Sequence, residues 1–189
     1  MEKSQRIYLD NAATSWPKPA AVYTATDVYQ RDLGAPAGRS NYQQADEVQR
    51  TVARTRHQLA RLLGATAPEQ VVFTSGGTGS LNQAIQGCLR PGDHVVTTVA
   101  EHNSLLRPLR YLEEQGRITV TRVGCGTSGQ IDPSEVRQAM TSQTRLVAML
   151  HVSNVTGAVQ PVQEVGQIAR EAEAFYLIDV AQSLGHLPV

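Results

Sequence analysis

The chain has 189 residues, of which 41% are apolar, and its 17 basic and 17 acidic side chains cancel to no formal net charge. A domain of that length buries roughly 70% of its unfolded surface, so disorder is excluded as the default; no basic excess offers itself to a nucleic-acid backbone, and no apolar run approaches the ~20 residues of a bilayer span. The opening MEKSQRIYLDNAATS lacks the apolar core of a secretory signal, and Cys88 and Cys125 make no disulfide framework, so a cytoplasmic protein without membrane or nucleic-acid partners is expected.

Residues 1–16 read as an N-terminal segment and 17–189 as one partial α/β domain that begins with helices. Helices are predicted over 17–33 and 41–63, joined by the loop GAPAGRS (34–40); Arg50, Arg54, Arg56 and Arg61 fall on a face of the second that is expected to be solvated. From Val71 onward short β-branched runs alternate with helical stretches. The runs are VVFT (71–74), HVVTTV (94–99), ITVTRV (118–123), RLVAML (145–150) and FYLID (175–179); the helices between them fall near 78–90, 103–116, 132–141 and 161–173. Asp132 before Pro133 is a helix start, an N-cap followed by proline in the first helical position. Such alternation predicts right-handed crossovers and a mostly parallel sheet with helices on both faces. Near-continuous apolar runs predict strands covered on both sides.

In FTSGGTGSLNQAI (73–85) a strand run gives way to Ser75-Gly76-Gly77-Thr78-Gly79 and then to a helix. Free N–H groups and a positive partial charge at a helix start suit an anion, and glycine lets it come close. The Gly-Lys-Ser/Thr ending of a P-loop is absent, and a plain strand-to-helix turn remains the alternative. EHNS (101–104) and HVSNVTG (151–157) both follow a strand run, which places them at the carboxyl edge of the sheet where open α/β folds bind ligands. His102 there is either a ligand-facing imidazole or a satisfied loop residue; neither it nor His151 has a Cys or carboxylate at metal-ligand spacing. Asp179 closes the run FYLID at the same edge, and a carboxylate there needs a cationic partner, either a protonated ring nitrogen or an arginine. Gln182 lies three residues on.

Taken together, YLDNAATS (8–15), FTSGGT…N (73–82), EHNS (101–104), HVSNVTG (151–157) and DVAQSLGH (179–186) resemble, in order, the motifs of the class V aminotransferases of PLP fold type I, and among them the cysteine desulfurases and selenocysteine lyases. The resemblance runs from Ile7 onward and implies an incomplete fold type I large domain with pyridoxal 5′-phosphate (PLP) as cofactor. It implies that Gly77 and Thr78 hold the PLP phosphate, that His102 stacks on the pyridine ring and moves protons, and that Asp179 pairs with the ring nitrogen. Gln182 is implied at the phenolic oxygen, and Asn154 beside that oxygen and the substrate carboxylate. Asn11, Ala12 and Ala13 are implied at the substrate entrance. Arg39 is either a contact across a homodimer or a solvated arginine.

In that family a lysine in Ser-x-His-Lys, a nucleophilic cysteine and a substrate-binding arginine follow later, and none has a counterpart here; the only lysines are Lys3 and Lys18. The implied activity is removal of sulfur from L-cysteine, giving alanine and an enzyme persulfide, with this chain an N-terminal portion inactive by itself. Cys88, in a helical stretch, reads as buried, and Cys125 as an exposed loop residue with only Arg122 for a cationic neighbour, so neither is expected to carry sulfur. Gly79 stands where the family usually has a larger acidic residue, implying a looser phosphate turn. Two other readings stay open: another class V transaminase or a kynureninase-like lyase, and a non-catalytic α/β module that binds a phosphate ligand or a partner protein.

Overall fold

Alternation along the strands sets the layers. In strand β1 (His94–Thr98) Val95 points to one face and Val96 to the other; strand β3 (Thr144–Leu150) repeats this with Leu146 and Ala148 against Val147 and Met149. Both strands are almost wholly buried and form the middle of a four-stranded parallel sheet of order β2-β1-β3-β4, with β2 at Thr119–Val123 and β4 at Phe175–Asp179. The computed structural model describes residues 7–38 and 40–188, and the chain divides into two compact units, the second starting at Thr74. The sheet belongs to this second unit.

Helices α3 (Gly77–Cys88) and α4 (Asn103–Glu114) cover one face, where Ile85, Leu105 and Leu109 pack with Val95, Leu146 and Ala148. Helices α5 (Pro133–Ala139) and α6 (Val162–Glu171) cover the other, with Val136, Val165 and Ile168 against Val96, Val147 and Met149. Asp132 caps α5 as its sequence position foretells: its Oδ1 accepts the Ser134 N–H at 2.8 Å, which holds the carboxyl below its ordinary range. His94 is buried. Its imidazole bridges Thr144 Oγ1 (2.8 Å) on β3 and Thr121 Oγ1 (2.9 Å) on β2, and burial lowers its pKa.

The first unit, through Phe73, holds α1 (Ala20–Val28), which runs on into a π turn (Tyr29–Leu33), and α2 (Gln43–Leu62). Its small core is Ala35, Ala45 and Val48 with Leu33 packed against them. Arg50, Arg54 and Arg61 are exposed as expected, but Arg56 is half-buried: its Nε donates to the Val71 carbonyl at 3.0 Å and its guanidinium lies 5.2 Å from the Phe73 ring centre.

Two expectations about the strands also fail. Residues 71–74 form no strand, because a strand needs a neighbour to complete its hydrogen-bond ladder and none pairs with this stretch among the described residues; Val72 and Phe73 are exposed. The edge strands β2 and β4 are only partly covered, so the doubly buried pattern holds for β1 and β3 alone. Among the described residues no helix is long and apolar enough to cross a membrane.

If the seam between α3, α4 and the sheet is the core of the second unit, Leu109→Ala at a fully buried position should cost about 2–5 kcal/mol in urea unfolding. Val155→Ala, at a largely exposed one, should stay within about 0.5 kcal/mol.

Candidate functional site

Because β1, β3 and β4 run the same way, the loops that leave their carboxyl ends share one edge of the sheet. Leu150 pairs with Asp179 in the last rung between β3 and β4, and the His151 N–H continues the ladder to the Asp179 carbonyl at 2.9 Å. Four buried side-chain atoms lack a hydrogen-bond partner among the described residues: Thr97 Oγ1, Glu101 Oε2, His151 Nδ1 and Ser183 Oγ. All four lie in the last turns of a strand or within four residues after one. An unpartnered buried polar atom is costly, and here the cost is gathered at one edge.

The turn into α3 is built on Gly76, whose φ of +148° suits glycine alone. As the first turn of α3, the Gly77, Thr78 and Gly79 N–H groups have no intrahelical carbonyl to meet. A Cβ added at Gly77 would meet nothing within 4 Å, so the approach is open. The turn itself is not loose. Thr74 Oγ1 donates to the Gly76 carbonyl (3.0 Å) and lies 2.6 Å from Ser80 Oγ, while a Cβ at Gly79 would come within 3.3 Å of Ser75 Oγ.

Thr78 and His102, 24 positions apart in sequence, are joined by Ser104. Ser104 Oγ lies 2.8 Å from Thr78 Oγ1 and 2.8 Å from His102 Nδ1, and the Ser104 N–H donates to the same Nδ1 at 3.1 Å. His102 is thus the N-cap of α4, and a ring nitrogen that accepts a backbone N–H carries no proton. The neutral ring is protonated on Nε2. Thr78, Asn82, His102, Ser104 and Arg107 line a groove of about 630 Å³ between α3 and α4.

Asp179 is half-buried, and its Oδ1 accepts the Ala181 N–H at 2.9 Å. The ion pairs of the described residues are Arg31–Asp27, Arg110–Glu114, Arg122–Glu113 and Arg137–Glu171, and none reaches Asp179. Of the two partners the sequence allowed it, arginine is therefore not the one present. Gln182 is half-buried in the turn after β4. Asn154 is exposed in the turn after β3, whose N–H groups at Val155 and Thr156 both donate to Ser153 Oγ at 3.2 Å.

Asn11, Ala12 and Ala13 belong to the first unit and are exposed; Asn11 Oδ1 accepts the Trp16 N–H at 3.1 Å and the Ala13 N–H donates to the Asp10 carbonyl at 3.2 Å. Arg39 lies outside the described residues. Cys125 is exposed, and Arg122, the cation expected beside it, is held by Glu113 at 2.7 Å; Cys88 is half-buried rather than buried.

Sequence reasoning passed over Glu101. It is 8% exposed, its Oε1 accepts the Thr98 hydroxyl at 2.6 Å, and no ion pair of the described residues reaches it. Burial pushes its carboxyl up to about 7, with a smaller push from the charge of Asp179, against lowering by the Thr98 hydroxyl and the Leu150 backbone. The signal was available, since Glu101 follows an apolar strand run as directly as Asp179 ends one.

The family model for class V aminotransferases matches residues 7–189. The chain belongs to this family. A class V relative, the cysteine desulfurase IscS of Dictyoglomus turgidum, is 32% identical over 190 residues, covering 98% of this chain and 47% of the relative. The apo cysteine desulfurase of Thermococcus onnurineus superposes with a TM-score of 0.88 at 32% identity, over 97% of this chain and 46% of that one. SspA in complex with cysteine gives 0.89 at 31% identity, over 96% and 52%. The chain thus spans about half the length of the class V proteins it matches, and its mixed α/β architecture with a parallel sheet is that of the fold type I cysteine desulfurases.

Glu101 generates a pH dependence. The folded state keeps its proton to about pH 7, whereas the unfolded chain releases it near 4.5. Between those values the folded state binds more protons, so stability falls as pH rises through the window and levels off above it. The expected loss is about 3 kcal/mol. Glu101→Gln should match wild type near pH 5 and exceed it at pH 8 in urea midpoints. Parallel curves for the two proteins would contradict the assignment. Taking the difference between them removes the opposing contribution of His94, which favours folding as pH rises.

Proposed function

We propose that the second unit is the cofactor-binding part of a PLP-dependent cysteine desulfurase-like enzyme, with L-cysteine as the sulfur donor. The reading is carried by Asp179: a half-buried carboxylate without an ion-pair partner among the described residues, at the sheet edge whose loops also carry His102, which Ser104 links to Thr78 of the α3 turn. Three features of the chain suit the cofactor. The first turn of α3 offers unpaired N–H groups with open space before Gly77. The Asp179 carboxylate is free to meet a protonated ring nitrogen. Buried polar atoms at the strand ends await partners.

When bound, PLP supplies an electron sink for bonds to the carbon that bears the substrate amino group. Everything else falls to the chain. Gly77 and Thr78 would hold the phosphate through N–H groups and a hydroxyl. Asp179 would keep the ring nitrogen protonated, and Glu101, neutral below about pH 7, adds no second charge that would compete for that proton. His102 would face the ring and exchange a proton at Nε2. Gln182 and Asn154 are assigned the phenolic oxygen, and Asn154 also the substrate carboxylate. Asn11, Ala12 and Ala13 are assigned the substrate entrance, and Arg39 a contact across a homodimer. Lys3 and Lys18 are the only lysines, and both precede the second unit. Covalent attachment from within that unit is not available, so the chain alone is expected to bind PLP reversibly and to release no sulfur.

Equilibrium dialysis tests the reading. Wild type should bind PLP, inorganic phosphate should compete, and borohydride should leave no PLP fixed within the second unit, which has no lysine. Asp179→Asn should weaken PLP about ten- to a hundredfold, as loss of a charge-assisted hydrogen bond does, while leaving inorganic phosphate binding unchanged. Equal PLP affinity in wild type and Asp179→Asn would leave only a phosphate-binding module.

A further inference from the structure

The hydroxyl of Ser104 bridges His102 and Thr78, at 2.8 Å to each. A serine has one proton to give and lone pairs with which to accept. His102 Nδ1 already accepts the Ser104 N–H at 3.1 Å, so in the ligand-free chain the hydroxyl proton of Ser104 also points to Nδ1, and the Thr78 hydroxyl proton points to Ser104 Oγ. The protons run inward, from α3 to the imidazole. Thr78 then has no proton left for a ligand, although it stands in the turn assigned to the phosphate.

We propose that Ser104 is a positioning residue that reports occupancy of the α3 turn to His102: an anion bound there turns the Thr78 hydroxyl outward, reverses the chain, and moves the imidazole proton from Nε2 to Nδ1. This rests on the anion role given to the α3 turn above. The protons balance. The Thr78 hydroxyl rotates to donate to the anion, and the Ser104 hydroxyl rotates to donate to Thr78 Oγ1. Ser104 Oγ then accepts from Nδ1–H, whose proton comes from water, while Nε2 returns one proton to water. The ring stays neutral, and its Nε2 gains the lone pair that a proton acceptor needs. The backbone N–H of Ser104 still favours the original tautomer, so occupancy shifts a ratio. An empty site holds its imidazole as a donor at Nε2; a loaded one turns it toward a base.

The test is 15N NMR of the histidine-labelled 189-residue chain at a pH where the imidazoles are neutral, with the His102 signals identified by His102→Gln and inorganic phosphate as the probe. Without phosphate the Nε2–H tautomer should predominate. Saturating phosphate, followed by the amide shifts of Gly77 and Thr78, should raise the Nδ1–H to Nε2–H ratio about fivefold, the equivalent of one net hydrogen bond. In Ser104→Ala the amides should still saturate while the tautomer response is lost, and Ser104→Thr, which keeps the hydroxyl, should restore it. A merely structural role for Ser104 would not move the tautomer. An unchanged wild-type ratio at saturation, or an equal response in Ser104→Ala, overturns the proposal. If phosphate leaves the Gly77 and Thr78 amides unmoved, the anion role of the turn fails instead. The bridge is then judged on the ligand-free ratio alone, which Thr78→Val and Ser104→Ala should both shift toward Nδ1–H; no shift in either refutes it.

Discussion

Parallel pairing of β1, β3 and β4 is the constraint from which the candidate site follows. Each strand is entered from a helix on one side and left on the other, so Thr98, Leu150 and Asp179 end at one edge whatever the connecting loops contain. The pairing is fixed by burial: β1 and β3 present apolar side chains to helices on both faces, and a slip of one residue would exchange Val95 for Val96 and Ala148 for Met149 between two packed layers. His94, tied to Thr144 and Thr121, pins the opposite end of the same strands. Polar groups therefore collect where the sheet stops, beyond the reach of the core that specifies it.

Two carboxyl groups at that edge are separated by their surroundings. Glu101 is buried against a hydroxyl and meets no cation among the described residues, which favours the neutral acid; Asp179 is half-buried and accepts a backbone N–H. Two negative charges so placed would repel, and burial decides which of the two gives way. Burial thus keeps Glu101 from adding a second charge at that edge below about pH 7. That asymmetry suits an aromatic ligand with a phosphate at one end and a basic nitrogen at the other.

Much of this was legible in the sequence. Four of the five apolar runs are strands within a residue or two of their expected bounds, and Asp132 caps its helix, because periodicity and capping are local properties. VVFT misled because a strand is a pairing and not a local state, and no partner lies among the described residues. Arg56 misled for a related reason: the ring that draws it in, Phe73, is 17 positions away. At the site, residue types and their order along the sequence pointed to Thr78, His102 and Asp179 as candidates. Ser104 escaped, since only the rotamers of Thr78 and His102 reveal what its hydroxyl connects. The glycine at 79, taken as a loosening of the turn, instead accommodates Ser75.

The central claim is that one small aromatic ligand is met at once by the α3 turn, the start of α4 and the end of β4. Amide shift mapping of the uniformly 15N-labelled chain during a PLP titration tests it most directly. The account requires that residues 76–78, 102–104 and 179–182 move together and saturate with a single binding constant. Movement confined to one of these segments, or separate constants for them, would contradict it.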